Sequence, residues 1–552
     1  MSITEGCKLG LKFFHWHARQ SVTPNSYDQL KDILYQNRSF VPISQLEYGD
    51  HGLENAYAKI LEAIKSGRRI ALYADYDVDG TMSCVAWLWF LKSIGHTNHV
   101  FYIPDRFKEG YGVNLNAIKA LVLEEKAELI ITMDTGITAN IEAAWCKENG
   151  VDFICTDHHK IQLDKMPDCI ILNPKLHPDP AYGELCGCGI TFVLLRKLGR
   201  VLPVDPKIWQ DLLAITGIAT ICDLVPLNPI NHKLARMGVE AISRSDRSVL
   251  KKILEAVKST ESADEKDVGF RIGPRINAVG RMEHAKIVIE AFLSDEPSQL
   301  IKYMGVCNEK RKSIQSMIVE SATKKAKLSG DESILFLGDG DWHQGVVGIA
   351  ASRIAEDFWR PTWLFQKGIE ICKGSARSIA GFDVTDAMAS CGELFTKFGG
   401  HRAAGGFSFP NHQEENIRGA LLRFADQFRE VNPHLWQSSV EYDCKLSWPL
   451  LSVELLNILS SLRPFGNGFE EPRFLISGKL LSVTHYRDKS TGQPKHTAMV
   501  IGEGSGTQKI MFFNRVLADL PIGQDMECIV VADRNLWNGQ VSLQLLGLDL
   551  RV

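Results

Sequence analysis

Three aspartates at alternate positions, in Asp75-Tyr76-Asp77-Val78-Asp79-Gly80, directly follow the apolar run 70–74. Carboxylates set this close repel one another: two like charges 4 Å apart cost about 1 kcal/mol in water, and more at lower dielectric. The spacing therefore calls for a cation among them. A calcium-binding helix-loop-helix would need a Glu six residues beyond the glycine and helices on both sides. Position 86 is Ala and the segment leaves a strand-like run, so that reading fails.

The pattern recurs at other strand ends. Residues 129–133 run into Asp134-Thr135-Gly136, and 151–155 into Thr156-Asp157-His158-His159. The small, apolar stretch 215–222 runs into Asp223. Ligands of open α/β sheets bind beyond the carboxyl ends of the strands, so three strand exits plus Asp223 would converge on one crevice. A single Asp-x-Gly is ordinarily a turn; four such segments together point to a site. Oxygen donors with one or two imidazoles and no thiolate suit Mg²⁺ or Mn²⁺ better than structural zinc. So many carboxylates suggest two ions sharing an Asp, an arrangement suited to phosphoester hydrolysis. There is no Walker loop or Rossmann glycine fingerprint to support an NTPase or a dehydrogenase.

These residues need a scaffold. Apolar runs at 70–74, 100–103, 129–132 and 151–155 read as buried strands, with crossover helices over 114–127 and 139–149. Such alternation predicts a parallel α/β sheet covered on both faces. Residues 231–329 turn helical and charged, and the basic stretches at 310–312 and 324–327 read as solvated helix faces. A second α/β segment follows over 330–430. Past a loose stretch at 431–439, five short strands separated by Gly and Asn predict a small barrel of the OB type, with a β-sandwich as the alternative. The expected domains are thus 1–230, 231–329, 330–430 and 431–552.

Of 552 residues, 45% are hydrophobic and 23% charged, which excludes a disordered tail or a collagen-like rod. A formal charge of -4 excludes a globally basic coat, so any bound polyanion needs local cations or metal ions. No apolar run is long enough to cross a bilayer, and thirteen cysteines, an odd number, favour a reduced cytoplasmic setting. Cys186-Gly187-Cys188 has no partner pair at zinc spacing and reads as buried thiols.

The segments 75–80, 133–136, 156–159 and 221–227 resemble the successive motifs of the DHH phosphoesterase superfamily. Residues 269–281, 342–348 and 398–406 resemble more narrowly its RecJ branch of 5′-to-3′ exonucleases specific for single-stranded DNA. The resemblance implies a DHH domain and a DHHA1 domain facing each other across a cleft, a helical connector, and the OB-like barrel. It implies two divalent cations, Mn²⁺ or Mg²⁺, held by Asp77, Asp79, Asp134, His158 and Asp223. Asp134 would bridge them, with Asp75 and His159 in support. Thr135, where the family most often has Asn, and Ala74, in place of a common Gly, are departures that remove no ligand.

Arg271, Arg275, Asn277 and Arg281, among glycines, suit phosphate contact, with pairing to nearby acids as the plain alternative. The resemblance assigns Arg106, Ser375 and Arg377 to a pocket for the terminal 5′ phosphate. It gives His401, after Gly400, the task of stabilising the transition state at the scissile phosphate. Trp342, His343 and Arg353 would line the same cleft, although a buried Trp is the commoner case. Tyr486, Arg487, Lys489, Lys495 and His496 would present the barrel to single-stranded DNA. Family members work in DNA repair and recombination, so a single-stranded-DNA-binding protein and a RecQ-type helicase are expected partners of a monomeric enzyme. The rivals are an oligonucleotide or cyclic-dinucleotide phosphodiesterase and a non-catalytic replication scaffold.

Overall fold

The computed structural model describes residues 13–39, 52–177, 182–259, 262–488, 490–537 and 539–552. They form two compact units. One comprises residues 41–314 with 464–469, the other 1–40, 315–463 and 470–552.

The first unit is built on a five-stranded, wholly parallel sheet in the order His99–Tyr102, Ile70–Ala74, Leu129–Met133, Asp152–Thr156, Ile170–Leu172. The strands Ile70–Ala74 and Leu129–Met133 are buried along their whole length, as their unbroken apolar runs predict. The helix Val78–Ser93 follows the triple-aspartate segment and is buried all round from Val78 to Leu91, so it has no solvated face. Helices Gly187–Leu198 and Ile208–Cys222 pack on it.

The stretch before Asp223 is therefore the end of a helix, not a strand. Apolar runs this short do not distinguish the two by periodicity. Where helix Ile208–Cys222 meets Pro229–Arg244 the backbones nearly touch: a Cβ on Gly217 would lie 2.7 Å from the Gly238 Cα. The expected Gly-loosened backbone around Arg271 is also helical, a π-turn Val268–Ile272 leading into Gly273–Met282.

In the second unit a five-stranded sheet runs Lys397–His401, Ala404–Pro410, Ile371–Arg377, Thr362–Gln366, Leu335–Asp339, with only the last pair parallel. Aromatic residues fill its core, among them Phe336, Trp363, Phe365, Phe382 and Phe409. Trp342 is one more buried side chain, 3% exposed, with the Lys325 ammonium over its ring. It is core rather than cleft lining.

Strands Arg473–Arg487, Pro494–Glu503, Gly506–Phe512, Gln540–Arg551 and Asp525–Trp537 pair in that order. Asp525–Trp537 also pairs with Arg473–Arg487, closing a five-stranded barrel. Closure decides for the barrel over a sandwich.

The N-terminal segment packs with this barrel region rather than with the parallel sheet. His15–Ala18 pairs in parallel with Ser439–Tyr442, and the Trp16 indole donates to Asp549 at 3.0 Å. Arg38 and Asp443 form a buried ion pair at 2.8 Å. The expected domain 1–230 therefore does not describe residues 13–39. Among the described residues no helix is long and apolar enough to cross a membrane.

Candidate metal centre

Every acidic side chain of the first unit's site comes from an element end, where a backbone turn re-aims it. Asp77 caps the helix Val78–Ser93, and its Oδ1 accepts from the Asp79 and Gly80 amides at 2.9 and 3.2 Å. A Cβ at Gly80 would lie 2.4 Å from the Asp75 carbonyl oxygen, so only glycine lets this turn fold back on itself. Asp134 leaves its strand with φ +59°, a left-handed conformation costing a non-glycine residue about 1–2 kcal/mol. Such strain at a strand exit is typical of functional positions. Asp223 caps the end of Ile208–Cys222, and Leu224 after it has φ +59°. Residues 464–469, far along the chain, hold that turn: Asn467 donates to the Leu224 carbonyl at 2.7 Å and accepts from the Leu227 amide at 2.8 Å.

The side chains converge as their spacing led us to expect. His158 Nε2 lies 3.1 Å from Asp134 Oδ1, 3.5 Å from Asp223 Oδ2 and 3.8 Å from Asp79 Oδ2. Three overlapping triads each bring ligand atoms within 4.8 Å of one another: Asp75, Asp77 and Asp134; Asp134, His158 and His159; Asp79, His158 and Asp223. Asp134 and His158 each belong to two of them. Asp75 Oδ1, Asp134 Oδ1 and Asp223 Oδ2 are buried and accept no hydrogen bond among the described residues. Buried carboxylate oxygens left in this state are strongly disfavoured unless a cation completes them. Hard oxygen donors with imidazole, and no thiolate among the triads, match Mg²⁺ or Mn²⁺.

Electrostatics agree. Burial first, then neighbouring carboxylates, push Asp75, Asp134 and Asp223 well above the ordinary carboxyl range and Asp79 up to about 6. Asp157 behaves oppositely. Burial would raise it, but His159 and backbone amides more than offset that and hold it low. Its Oδ1 lies 2.8 Å from His159 Nδ1, and its Oδ2 accepts from the Ile137 amide at 2.9 Å. Asp157 thus orients the second histidine rather than joining the cluster.

In metal-free protein, carboxyls whose folded pKa is raised stabilise the fold fully only below their unfolded pKa. That contribution is lost as pH rises through the folded value. The Tm of metal-free protein is therefore expected to fall as pH rises from about 4 through about 6 and above, and to be restored by Mn²⁺ at neutral pH. A Tm independent of pH over that range, read by scanning calorimetry with and without chelator, would count against this charge distribution.

Several participants carry no signal in the sequence. The Gly187 and Cys188 amides, at the start of Gly187–Leu198, both donate to the Asp79 carboxylate, the latter at 2.8 Å. Cys186-Gly187-Cys188 is thus neither metal ligand nor redox pair but the helix N-terminus that holds an anionic ligand residue. Its two thiols are buried. Gly187 is compulsory, because a Cβ there would lie 2.8 Å from the Asp134 Cβ. The Lys175 ammonium donates to the His158 carbonyl, and the Tyr111 hydroxyl lies 3.1 Å from a ring nitrogen of His159.

The expected phosphate-binding residues fare unevenly. Arg106 lies 4.9 Å over the Tyr76 ring, and its charge acts on Asp75. The side chains of Arg271 and Arg275 are taken up locally, by Asp267 at 2.8 Å and by the Arg271 carbonyl at 2.7 Å. Asn277 and Arg281 lie on the same helix, whose Gly280 approaches the Tyr76 carbonyl oxygen. In the second unit Arg377 donates to the Ser352 hydroxyl at 3.0 Å. A Cβ at Gly348, in the first turn of helix Val347–Phe358, would lie 3.0 Å from the Ser375 Oγ and 3.1 Å from an Arg377 nitrogen. Arg353 pairs with Asp357 along that helix at 2.9 Å.

Gly400 and His401 end an exposed strand that turns in a tight hairpin to pair with Ala404–Pro410, with φ +144° at Gly400. On the barrel, the Lys509 ammonium lies 5.2 Å over the Tyr486 ring, and Lys495 pairs with Asp488. Arg487 donates to the Gly492 carbonyl at 2.9 Å, and His496 Nδ1 lies 2.8 Å from the Asn514 amide. Lys489 lies outside the described residues.

A parallel sheet whose strand exits carry this Asp and His cluster defines a DHH-type domain, and the family profile described as "DHH family, N-terminal domain" matches residues 69–218. The profiles "DHHA1 domain" and "RecJ OB domain" match 331–430 and 442–549. The single-stranded-DNA-specific exonuclease RecJ of Thermus thermophilus is 32% identical over 512 residues, covering 91% of this chain and 71% of that protein. Its namesake from Bacillus subtilis is 33% identical over 522 residues, and the chain spans 63% of that protein's length. The solved structure of Thermus thermophilus RecJ in complex with Mn²⁺ superposes with a TM-score of 0.83 at 26% identity, over 98% of this chain and 79% of that one. The chain belongs to the RecJ family.

Proposed function

We propose that the chain is a single-stranded-DNA-specific 5′-to-3′ exonuclease that hydrolyses phosphodiester bonds by a two-metal mechanism and acts in DNA repair and recombination. The observation that carries this reading is the buried cluster of Asp and His groups with unsatisfied carboxylate oxygens. In this reading Asp77, Asp79, Asp134, His158 and Asp223 would hold two divalent cations, Mn²⁺ or Mg²⁺, and Asp134, common to two of the triads, would be available to both. Bound there, such ions would supply an activated water and charge stabilisation for the leaving oxygen of the phosphodiester.

The chain's own groups do the rest. The helix N-terminus at Gly187 favours the ionised form of Asp79 and orients it. Asp157 fixes the His159 ring. Arg106 adds positive charge at the edge of the acidic cluster, suited to an incoming phosphate. Asn277, Arg281 and Arg353 contact the DNA backbone, as do Arg271 and Arg275, and His401 beside Gly400 donates to the phosphate under attack. Ser375, Arg377 and the first turn of Val347–Phe358 form the anion cradle for the terminal 5′ phosphate. Residues 52–230 serve as metal domain, 231–329 as connector, 330–430 as substrate domain and 431–552 as DNA-binding barrel. The enzyme works in the cytoplasm as a monomer, with a single-stranded-DNA-binding protein and a RecQ-type helicase supplying substrate.

Single-stranded and duplex DNA labelled at either end, incubated with Mn²⁺, Mg²⁺ or chelator, test the reading. It expects mononucleotides released from the 5′ end of single strands, and none with chelator. Release from the 3′ end, or cleavage of dinucleotides alone, would refute it. In the same assay Arg377→Ala is expected to lower kcat/KM on 5′-phosphorylated strands by about 10- to 100-fold, the worth of a charge-assisted hydrogen bond of about 1.5–3 kcal/mol. Strands ending in a 5′ hydroxyl should change little. Equal losses on both would remove Arg377 from the 5′ end.

A further inference from the structure

His158 and His159 lie just past the strand Asp152–Thr156, and side chains hold all four of their main-chain polar groups. Asp157 Oδ1 accepts from both amides, at 2.7 and 3.0 Å. The two carbonyls turn to a single short segment of the neighbouring chain. The His159 carbonyl accepts from Asn173 Nδ2 at 3.1 Å, and the His158 carbonyl accepts from the Lys175 ammonium. Main-chain groups that leave a sheet need partners of this kind, and here the partners also decide where the two imidazoles point.

The segment 173–175 is shaped for that task. It follows the edge strand Ile170–Leu172, whose Leu172 pairs with Thr156. Asn173 is fully buried, and while its Nδ2 reaches His159 its Oδ1 accepts from the Lys175 amide at 2.9 Å. Pro174, also buried, fixes φ at the middle of the turn. Lys175 is the exposed member, yet it sends its ammonium inward to the His158 main chain. Its charge also acts on Asp223, the ligand candidate that arrives from the end of a helix. An ammonium is a costly neighbour for a site meant for divalent cations, because like charges repel and do so more strongly at low dielectric. A neutral donor would satisfy the carbonyl without that repulsion, so the lysine is better explained by the anchorage it gives than by its charge.

We infer that Asn173 and Lys175 are positioning residues of the metal centre, clamping the carbonyls of His158 and His159 so that both imidazoles stay aimed into the Asp cluster. Neither touches the DNA. This role rests on the two-metal reading of the cluster. Groups that orient metal-ligating histidines ordinarily act on the second ring nitrogen, as Asp157 does on His159. The hold at 173–175 is on the main chain.

Calorimetric Mn²⁺ titration of the full chain gives opposite signs for the two explanations of Lys175. If the lysine acted through its charge alone, Lys175→Met would bind Mn²⁺ more strongly, because a like charge has gone. The clamp predicts binding about tenfold or more weaker. It also predicts a similar fall in kcat on single-stranded DNA, with KM for the strand unchanged. Lys175→Arg keeps donor and charge and should recover most of the Mn²⁺ affinity. Asn173→Asp keeps the oxygen that accepts from the Lys175 amide but loses the donor to His159, and should weaken Mn²⁺ to a similar degree. Because Asn173 is buried, the metal-free Tm is followed alongside. The Lys175 variants, altered at an exposed residue, should melt as the unaltered chain does, and they decide the matter if Asn173→Asp does not fold. The clamp is overturned if Lys175→Met binds Mn²⁺ as well as the unaltered chain or better, or if Lys175→Arg fares no better than Lys175→Met. It is overturned equally if folded Asn173→Asp binds Mn²⁺ unchanged, or if KM rises while Mn²⁺ affinity holds, which would make Lys175 a DNA contact. Failure of the unaltered chain to bind Mn²⁺ would instead sink the two-metal reading, and the clamp with it.

Discussion

Asp134→Asn is expected to abolish turnover of single-stranded DNA, by about three orders of magnitude or more, without unfolding the chain. The change keeps shape and removes one charge. Asp134 is the carboxylate common to two of the triads that could hold a metal ion, and its Oδ1 lies 3.1 Å from His158 Nε2. Charge stabilisation at a two-ion site is worth several kcal/mol in the transition state, and each 1.36 kcal/mol is tenfold in rate. The same variant should be no less stable than the unaltered protein when both are metal-free at neutral pH. Burial and the charges of Asp79, Asp77 and Asp223 all disfavour ionised Asp134 in the fold. Less activity with undiminished metal-free Tm is the signature of a ligand. A large fall in Tm together with activity would mean Asp134 serves the fold.

Gly187→Ala should be nearly as damaging although it touches no charge. Its Cβ would lie 2.8 Å from the Asp134 Cβ and 3.0 Å from Asp79 Oδ2, and the helix start that donates to Asp79 would have to move. Disturbing the groups that orient metal ligands typically costs about 10- to 100-fold in metal affinity or activity. Gly217→Ala makes a comparable clash, 2.7 Å from the Gly238 Cα, between two helices away from the cluster. Overpacking of that kind costs about 1–3 kcal/mol of stability. Calorimetric Mn²⁺ titration separates the two: Gly187→Ala should bind Mn²⁺ about tenfold or more weakly, and Gly217→Ala should bind as the unaltered chain does. Equal Mn²⁺ affinity in both variants would remove Gly187 from the site.

The ligand cluster was legible because its chemistry is dense and local. Alternating aspartates after an apolar run, and acids or histidines at further strand exits, leave few other readings, and the strand Ile70–Ala74 begins and ends where its apolar run does. What escaped is what depends on distant chain. Nothing near Asp223 announces that Asn467 holds its turn, and nothing in Cys186-Gly187-Cys188 announces a helix end aimed at Asp79. The apolar run before Asp223 is too short for its period to separate helix from strand. Arg271 and Arg275 give no sign in the sequence that Asp267 and a carbonyl lie within their reach. Composition hid the metal centre as well. A net charge of -4 sums an acidic cluster meant for cations with arginines spread over both units.

The most direct test of the central claim is an anomalous difference map at the manganese edge from crystals grown with Mn²⁺. Two peaks about 3.5–4 Å apart are expected among Asp77, Asp79, Asp134, His158 and Asp223, with Asp134 bound to both. A single peak, or none within that cluster, would contradict a two-metal centre.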